Sequence, residues 1–185
     1  MIPMNTAMPS GEIFDPKEIL PASLREIITI TEVDRADFFI TDLFTRKFGH
    51  PPPDFPRHLV ALYRAPDKGM HLIGYSHMMP FGDVYLSGGS CSDGEAIARM
   101  QPHERDALRA AGGIWFWILK YAFRKYADCC DAFFGHCGDK RALEVALAAG
   151  FIQTAHEHII VNWHKPLQDN FKRALTAKVV ALGKF

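Results

Sequence analysis

Residues Asp131–Phe151 read DAFFGHCGDKRALEVALAAGF, and the fold class turns on this stretch. Ala132-Phe133-Phe134 is an apolar run long enough for a buried strand and too short for a helix. Gly135 and Gly138 punctuate it, and Asp139 is placed to cap the next element, because a carboxylate accepts from the orphan amides of a first turn. Lys140 to Ala149 are good helix formers, and Ala142, Leu143, Ala146 and Leu147 share one face, the expected buried side. Gly150 then stops the helix and Phe151 begins a new apolar run. The unit is strand, tight turn, helix, glycine stop, strand.

This stretch resembles the second conserved block of the GCN5-related N-acetyltransferases (GNATs). In that family an Asn or similar polar residue opens the helix about eleven positions before a Gly-Phe pair. Asp139 takes the Asn place and Gly150-Phe151 match outright. The family often sets a Tyr four residues before that glycine, where it protonates the departing CoA thiolate. Ala146 stands there, so the resemblance extends to the fold and not to the usual general acid.

Composition is consistent with one ordinary globular domain. The chain has 185 residues, 48% of them hydrophobic, which suffices for a real core. Lys+Arg and Asp+Glu balance at 21 each, so no net field favours nucleic acid or an anionic membrane. The longest apolar stretch, Gly112 to Leu119, falls far short of the ~20 residues a membrane span needs. The opening MIPMNTAMPSGE lacks a basic region followed by an apolar one, so no signal peptide is expected. Four cysteines, with Cys129 and Cys130 adjacent, make a poor disulfide framework, and a reduced cytoplasm is the expected compartment.

Residues 1–24 read as a loosely tied arm with prolines at 3, 9, 16 and 21. Arg25–Thr31 suits a strand, and Asp34 is the expected cap of a helix whose apolar face is Phe38, Ile40, Leu43, Phe44 and Phe48. After the stiff His50–Pro56 connection come three strands, His58–Ala65, Met70–Met79 and Asp83–Cys91, with short turns that imply an antiparallel meander. Ser92–Arg105 reads as an insertion with some helix, and Trp115–Tyr126 as a helix apolar on two sides, hence buried. Phe151–Thr154 and Ile159–Lys165 are the last strands. Asp169–Leu182 is an amphipathic helix with Phe171, Ala174, Leu175, Val179 and Leu182 on one side, able to cover the sheet or a partner chain.

Two glycine pairs carry the remaining signal. Gly88-Gly89 marks either a bulge that admits a ligand or a strand ending at Ser87. In the GNAT resemblance the fourth strand bulges there and its backbone pairs with the pantetheine arm of CoA. Arg109-Ala110-Ala111-Gly112-Gly113-Ile114 resembles the family's first block, Gln/Arg-x-x-Gly-x-Gly/Ala, in which small residues let amides converge on a pyrophosphate ahead of a helix. Ile114 departs from the small residue of that pattern, and a plain hinge between two helices is the other reading. His156, His158 and His164 share strand parity, which reads as a solvated face and not as a metal site.

The expected fold class is α/β (α+β): a GNAT-like, mixed, mainly antiparallel sheet over residues 25–165, flanked by helices, with an extra amphipathic helix within 166–185. The resemblance implies an acyl-CoA-dependent N-acyltransferase that uses acetyl-CoA or another acyl-CoA. The acceptor would be a small-molecule amine or a peptide. No nucleic acid, membrane or metal is expected, and a homodimer is left open. The alternative is a catalytically silent relative that binds acyl-CoA or a protein. Gly88, Gly89, Arg109, Ala110, Ala111, Gly112, Gly113, Ile114 and Asp139 are the cofactor-binding candidates and His136 the candidate acid. Asp83, His77 and Tyr85 are candidate bases from strand position.

Overall fold

The computed structural model describes residues 15–54 and 57–185; residues 1–14 of the expected N-terminal arm, with Phe55 and Pro56, lie outside them. Seven strands form one sheet: β1 (Ile28–Val33), β2 (His58–Arg64), β3 (Met70–Phe81), β4 (Val84–Ser92), β5 (Ala132–His136), β6 (Ile152–Gln153) and β7 (Ile159–Asn162). They are ordered β1-β2-β3-β4-β5-β7-β6. Among the described residues the β4–β5 pair is parallel and the other pairings are antiparallel, the mixed and mainly antiparallel sheet expected. The parallel pair requires a crossover. Three helices supply it: α2 (Gly94–Ala98), α3 (Pro102–Ala110) and α4 (Ile114–Lys125).

The two faces of the sheet are covered differently. On one, α4 and α5 (Lys140–Ala149) pack over Ile30, Leu59, Ile73, Tyr85 and Phe133. On the other, α1 (Asp37–Phe48) covers Val60, Tyr75 and Cys91, and α6 (Asp169–Leu182) covers Val84, Leu86, Phe134 and Val161. Burying a large apolar side chain stabilises by roughly 1.5–3 kcal/mol, so each layer contributes substantially. The sheet is thereby filled on both sides of β7. Ile159, Ile160 and Val161 are all buried, and the solvated face expected for this strand is absent. His156 and His158 lie in the β6–β7 turn, and His164 lies past β7, where its Nε2 donates to the Ala127 carbonyl at 2.8 Å.

Other expectations shift for local reasons. β1 begins at Ile28, because Pro21 to Ile28 close turns onto the Pro21 and Leu24 carbonyls. β3 and β4 pair through Phe81 and Val84, so the turn is only Gly82-Asp83 and Pro80 belongs to the strand. Ala36, not Asp34, caps α1, without a side-chain bond. In α1 the residues one helical period apart, Ala36, Ile40, Leu43 and Phe44, are buried, while Phe38 and Phe48 are exposed. In α6 the ridge of Leu175 and Val179 is buried against the sheet with Val180 packed beside it, and Phe171 and Leu182 stay exposed. In α5, likewise, Ala146 and Ala149 are buried and Leu147 is exposed.

Candidate functional site

The site begins where two strands part. β4 runs to Ser92, yet it pairs with β5 only from Val84 to Ser87, opposite Ala132 to Gly135. Beyond Ser87 its edge has no strand partner on that side among the described residues, so its backbone donors and acceptors face a gap. On the β3 side Tyr75 pairs with Cys91 and His77 with Gly88, leaving Ser76 opposite both Gly89 and Ser90. That is a bulge on β4. Gly89 sits at φ +51°, and a β-carbon there would overlap the His77 ring and lie 2.9 Å from Phe44 Cε2. The bulge thus needs glycine for its backbone and for its packing. Ser76 and Ser90 join their hydroxyls across it at 2.7 Å.

A cavity of about 200 Å³ opens in the fork, with Ser87 to Ser90 on one side and Gly135 to Asp139 on the other. Phe48 of α1 and Trp115 of α4 close it at opposite faces of the sheet. Gly88, Gly89, His136 and Asp139 are therefore brought together. Asp139 caps α5, its Oδ1 accepting from the Ala142 amide at 2.7 Å. His136 ends β5, half-buried, with its ring 5.5 Å from that of His158 and 6.2 Å from that of Phe185. Burial first, then His158 and Lys184, hold its pKa below the ordinary histidine value. Its neutral form is favoured, which suits a proton acceptor; the acid role expected from sequence is disfavoured for the same reason.

The second glycine pair is used otherwise. Gly113 N–H donates to the Leu108 carbonyl at 2.9 Å and Gly112 N–H to that of Arg109 at 3.1 Å, a Schellman-like closure of α3. These two amides are engaged within the turn. Ile114 is buried, Arg109 is exposed beside Asp106 at 3.8 Å, and Ala110 and Ala111 end α3. Of this region only Trp115 borders the cavity. The first turn of α4 has no side-chain cap, so its amides are the donors that remain there.

The candidate bases from strand position do not border the cavity. Asp83 is in the β3–β4 turn, where its carbonyl accepts from Asp131 N–H at 2.7 Å. Tyr85 is buried and stacked on Tyr126 at 4.8 Å, and burial raises its pKa. His77 lies under the bulge, its pKa lowered to about 3 by burial and by His58. Ala146 is fully buried with Cys137 in the main core, so no gap marks the place of the family's Tyr. Cys137 donates its thiol to the Asp139 carbonyl at 3.5 Å, and burial pushes its pKa up. Sequence reasoning missed Phe48, which it assigned to the core, and Trp115 and Ser90.

A second cavity, about 310 Å³, adjoins the first at Cys137 and Ile160, between α5 and the β6–β7 turn. It is larger, and its strand residues Gln153, Ile159 and Ile160 belong to the paired β6 and β7. Among the described residues no group of three His, Cys, Asp or Glu is placed to hold a metal ion, and no helix is long and apolar enough to cross a membrane.

The sequence matches no family model and no curated protein. Among solved structures, the ribosomal-protein-S18-alanine N-acetyltransferase from Escherichia coli aligns over 78% of this chain and 98% of its own, with a TM-score of 0.45 and 11% identity. A spermidine N-acetyltransferase chimera from Vibrio cholerae and hSSAT aligns over 74% and 95%, at 0.45 and 14%. An acyl-CoA N-acyltransferase from Pseudomonas aeruginosa aligns over 72% and 97%, at 0.42 and 18%. The fold assignment stands on the chain's own topology and not on these scores. Its element order, its mixed sheet with one parallel pair and its bulged β4 are those the resemblance implies, and the fold is of the GNAT type.

Proposed function

We propose that the chain is an acyl-CoA-dependent N-acyltransferase that transfers an acetyl or other acyl group directly to an amine. The observation that carries this reading is the fork between β4 and β5: an open strand edge at a glycine bulge, faced by a half-buried histidine kept neutral. An extended arm with two amides fits such an edge as an added strand does, pairing with its backbone. Gly88 and Gly89 would hold the donor's arm and offer an amide to the oxyanion that forms on its thioester. The first turn of α4 would receive the anionic end of the donor, replacing the loop amides that close α3.

His136 shares strand parity with Phe134 and so faces the side of the sheet that α6 covers. From there it would take the proton that the amine loses on attack. We assign no acid to the thiolate. A thiol of pKa about 8.5 leaves near neutral pH with modest help, so transfer does not depend on one.

A second reading is a silent acyl-CoA binder, and the burial of Ala146 at the place of the usual acid favours it. Two assays separate the readings. Acetyl-CoA should raise the melting temperature, since a ligand of the native state stabilises it by mass action. Release of free CoA thiol across a panel of amines should then follow. A melting shift without thiol release supports the silent binder, and no shift removes both.

A further inference from the structure

The chain after α6 returns to the fork. Gly183 ends the helix at φ +83°, its N–H donating to the Val180 carbonyl at 3.1 Å. Upstream, Lys178 Nζ donates to the Phe81 carbonyl at 3.1 Å and pins α6 to the β3–β4 turn. Phe185 is partly buried against the α6 side of the sheet, and its ring meets the His136 ring edge-on. A methyl group built on Gly88 would lie 3.6 Å from the main-chain carbonyl carbon of Phe185. The strap Gly183–Phe185 therefore touches both strands of the fork, at the bulge of β4 and at the last residue of β5. It does so on the face that α1 and α6 cover, opposite Trp115 and the α4 terminus.

We propose that this strap is a wall of the acceptor side, with Phe185 as the residue that limits the size of the amine reaching His136. The inference rests on the acyltransferase reading for its substrate and on contacts of the strap for its place. A donor entering along α4 leaves the α1/α6 face for the amine, and Phe185 narrows that face beside the proton acceptor. Filling or emptying such a pocket changes selectivity by ~10-fold or more. Lys184 is near enough to His136 to act on its charge, so loss of the strap changes the histidine as well as the space.

The test compares the full chain with Phe185→Ala and with a form ending at Leu182, which keeps α6 whole. Ethylamine and phenethylamine serve as small and bulky acceptors with acetyl-CoA. The expected result is a gain of ~10-fold or more in kcat/KM for phenethylamine, with ethylamine changed less than about threefold. Equal changes for both amines would overturn the size limit. In parallel, the His136 ring is titrated by NMR. Without the strap its pKa should rise toward the ordinary histidine value. An unchanged titration in a folded shortened chain would show that the strap does not sit on His136 and would overturn the proposal whatever the kinetics. A changed titration with no turnover of either amine in any form would instead overturn the acyltransferase reading, and the selectivity with it, leaving only the contact.

Discussion

The chain contains two glycine pairs that read alike in sequence, Gly88-Gly89 and Gly112-Gly113, and the fold uses them in opposite ways. The first kinks a central strand at the point where its neighbour leaves it, and so exposes backbone to a cavity. The second folds its own amides back onto α3, and so removes them from any ligand. A glycine pair announces unusual backbone. Whether that backbone is offered or consumed depends on what lies beside it: a strand partner that ends at His136 in one case, the free carbonyls of a helix end in the other.

If the two pairs differ in this way, the largest difference should be in stability. Gly89→Val must clear the His77 ring and Phe44 and adopt φ +51°, and should lower the unfolding free energy by about 3 kcal/mol or more. Gly113→Ala meets nothing within 4 Å and bears only the cost of an extended backbone at positive φ (φ 84°, ψ 168°), about 1–3 kcal/mol. Equal losses in urea unfolding would show that the bulge is no more constrained than the hinge.

Next in size is the chemistry of the fork. His136→Ala should cost ~100-fold in kcat/KM, about 2.7 kcal/mol of barrier, and leave acetyl-CoA affinity unchanged. The neutral imidazole is the active form, so kcat/KM should fall as pH drops through the His136 pKa. The depressed folded value puts that limb below the ordinary histidine range. A limb above that range, or one that survives in His136→Ala, would assign the proton to another group.

Ala146→Tyr separates an open site from a closed core. With no exposure at Ala146, the added ring should overpack the core and cost about 1–3 kcal/mol without improving transfer. A stable variant with faster thiol release would show that the place of the missing acid is open after all.

Read per unit of pH, the smallest effect concerns His77 beneath the bulge. Its folded pKa of about 3 lies below the unfolded value, so the stability it permits is complete above the ordinary histidine pKa and is lost as pH falls toward the folded one. The expected slope in that window is about 1.4 kcal/mol per pH unit, and His77→Gln should flatten it. Parallel stability curves for the two proteins would mean that His77 is not held neutral.

Local signals in the sequence proved legible where the chain alone sets the structure. Asp139 caps α5 and Gly150 ends it as expected, and α6 spans Asp169 to Leu182 as expected. What the sequence left open depends on partners distant in the chain. The face of α1 is set by which residues meet Tyr75 and Cys91, so Phe38, apolar as it is, turns outward, and Phe48 lies half-exposed at the cavity. The bulge at Gly89 exists only against the register of β3, which Ser76 fixes from another strand. The burial of both sides of β7 depends on α6, a helix that joins the sheet only after the strand has ended. His136 was expected at the site and borders the cavity, but which proton role suits it was not legible, because its charge depends on its burial and then on His158 and Lys184.

Whether the fork between β4 and β5 receives the acyl donor can be asked without requiring turnover, by an NMR titration of the isotopically labelled chain with acetyl-CoA. The largest amide shifts should fall on Gly88, Gly89, Ser90, Gly135 and Trp115, with smaller ones at Gly112 and Gly113, whose amides stay bonded within their turn. Saturable shifts confined to the α3–α4 turn or to the β6–β7 turn, with Gly88 to Ser90 unmoved, would contradict donor binding in the fork.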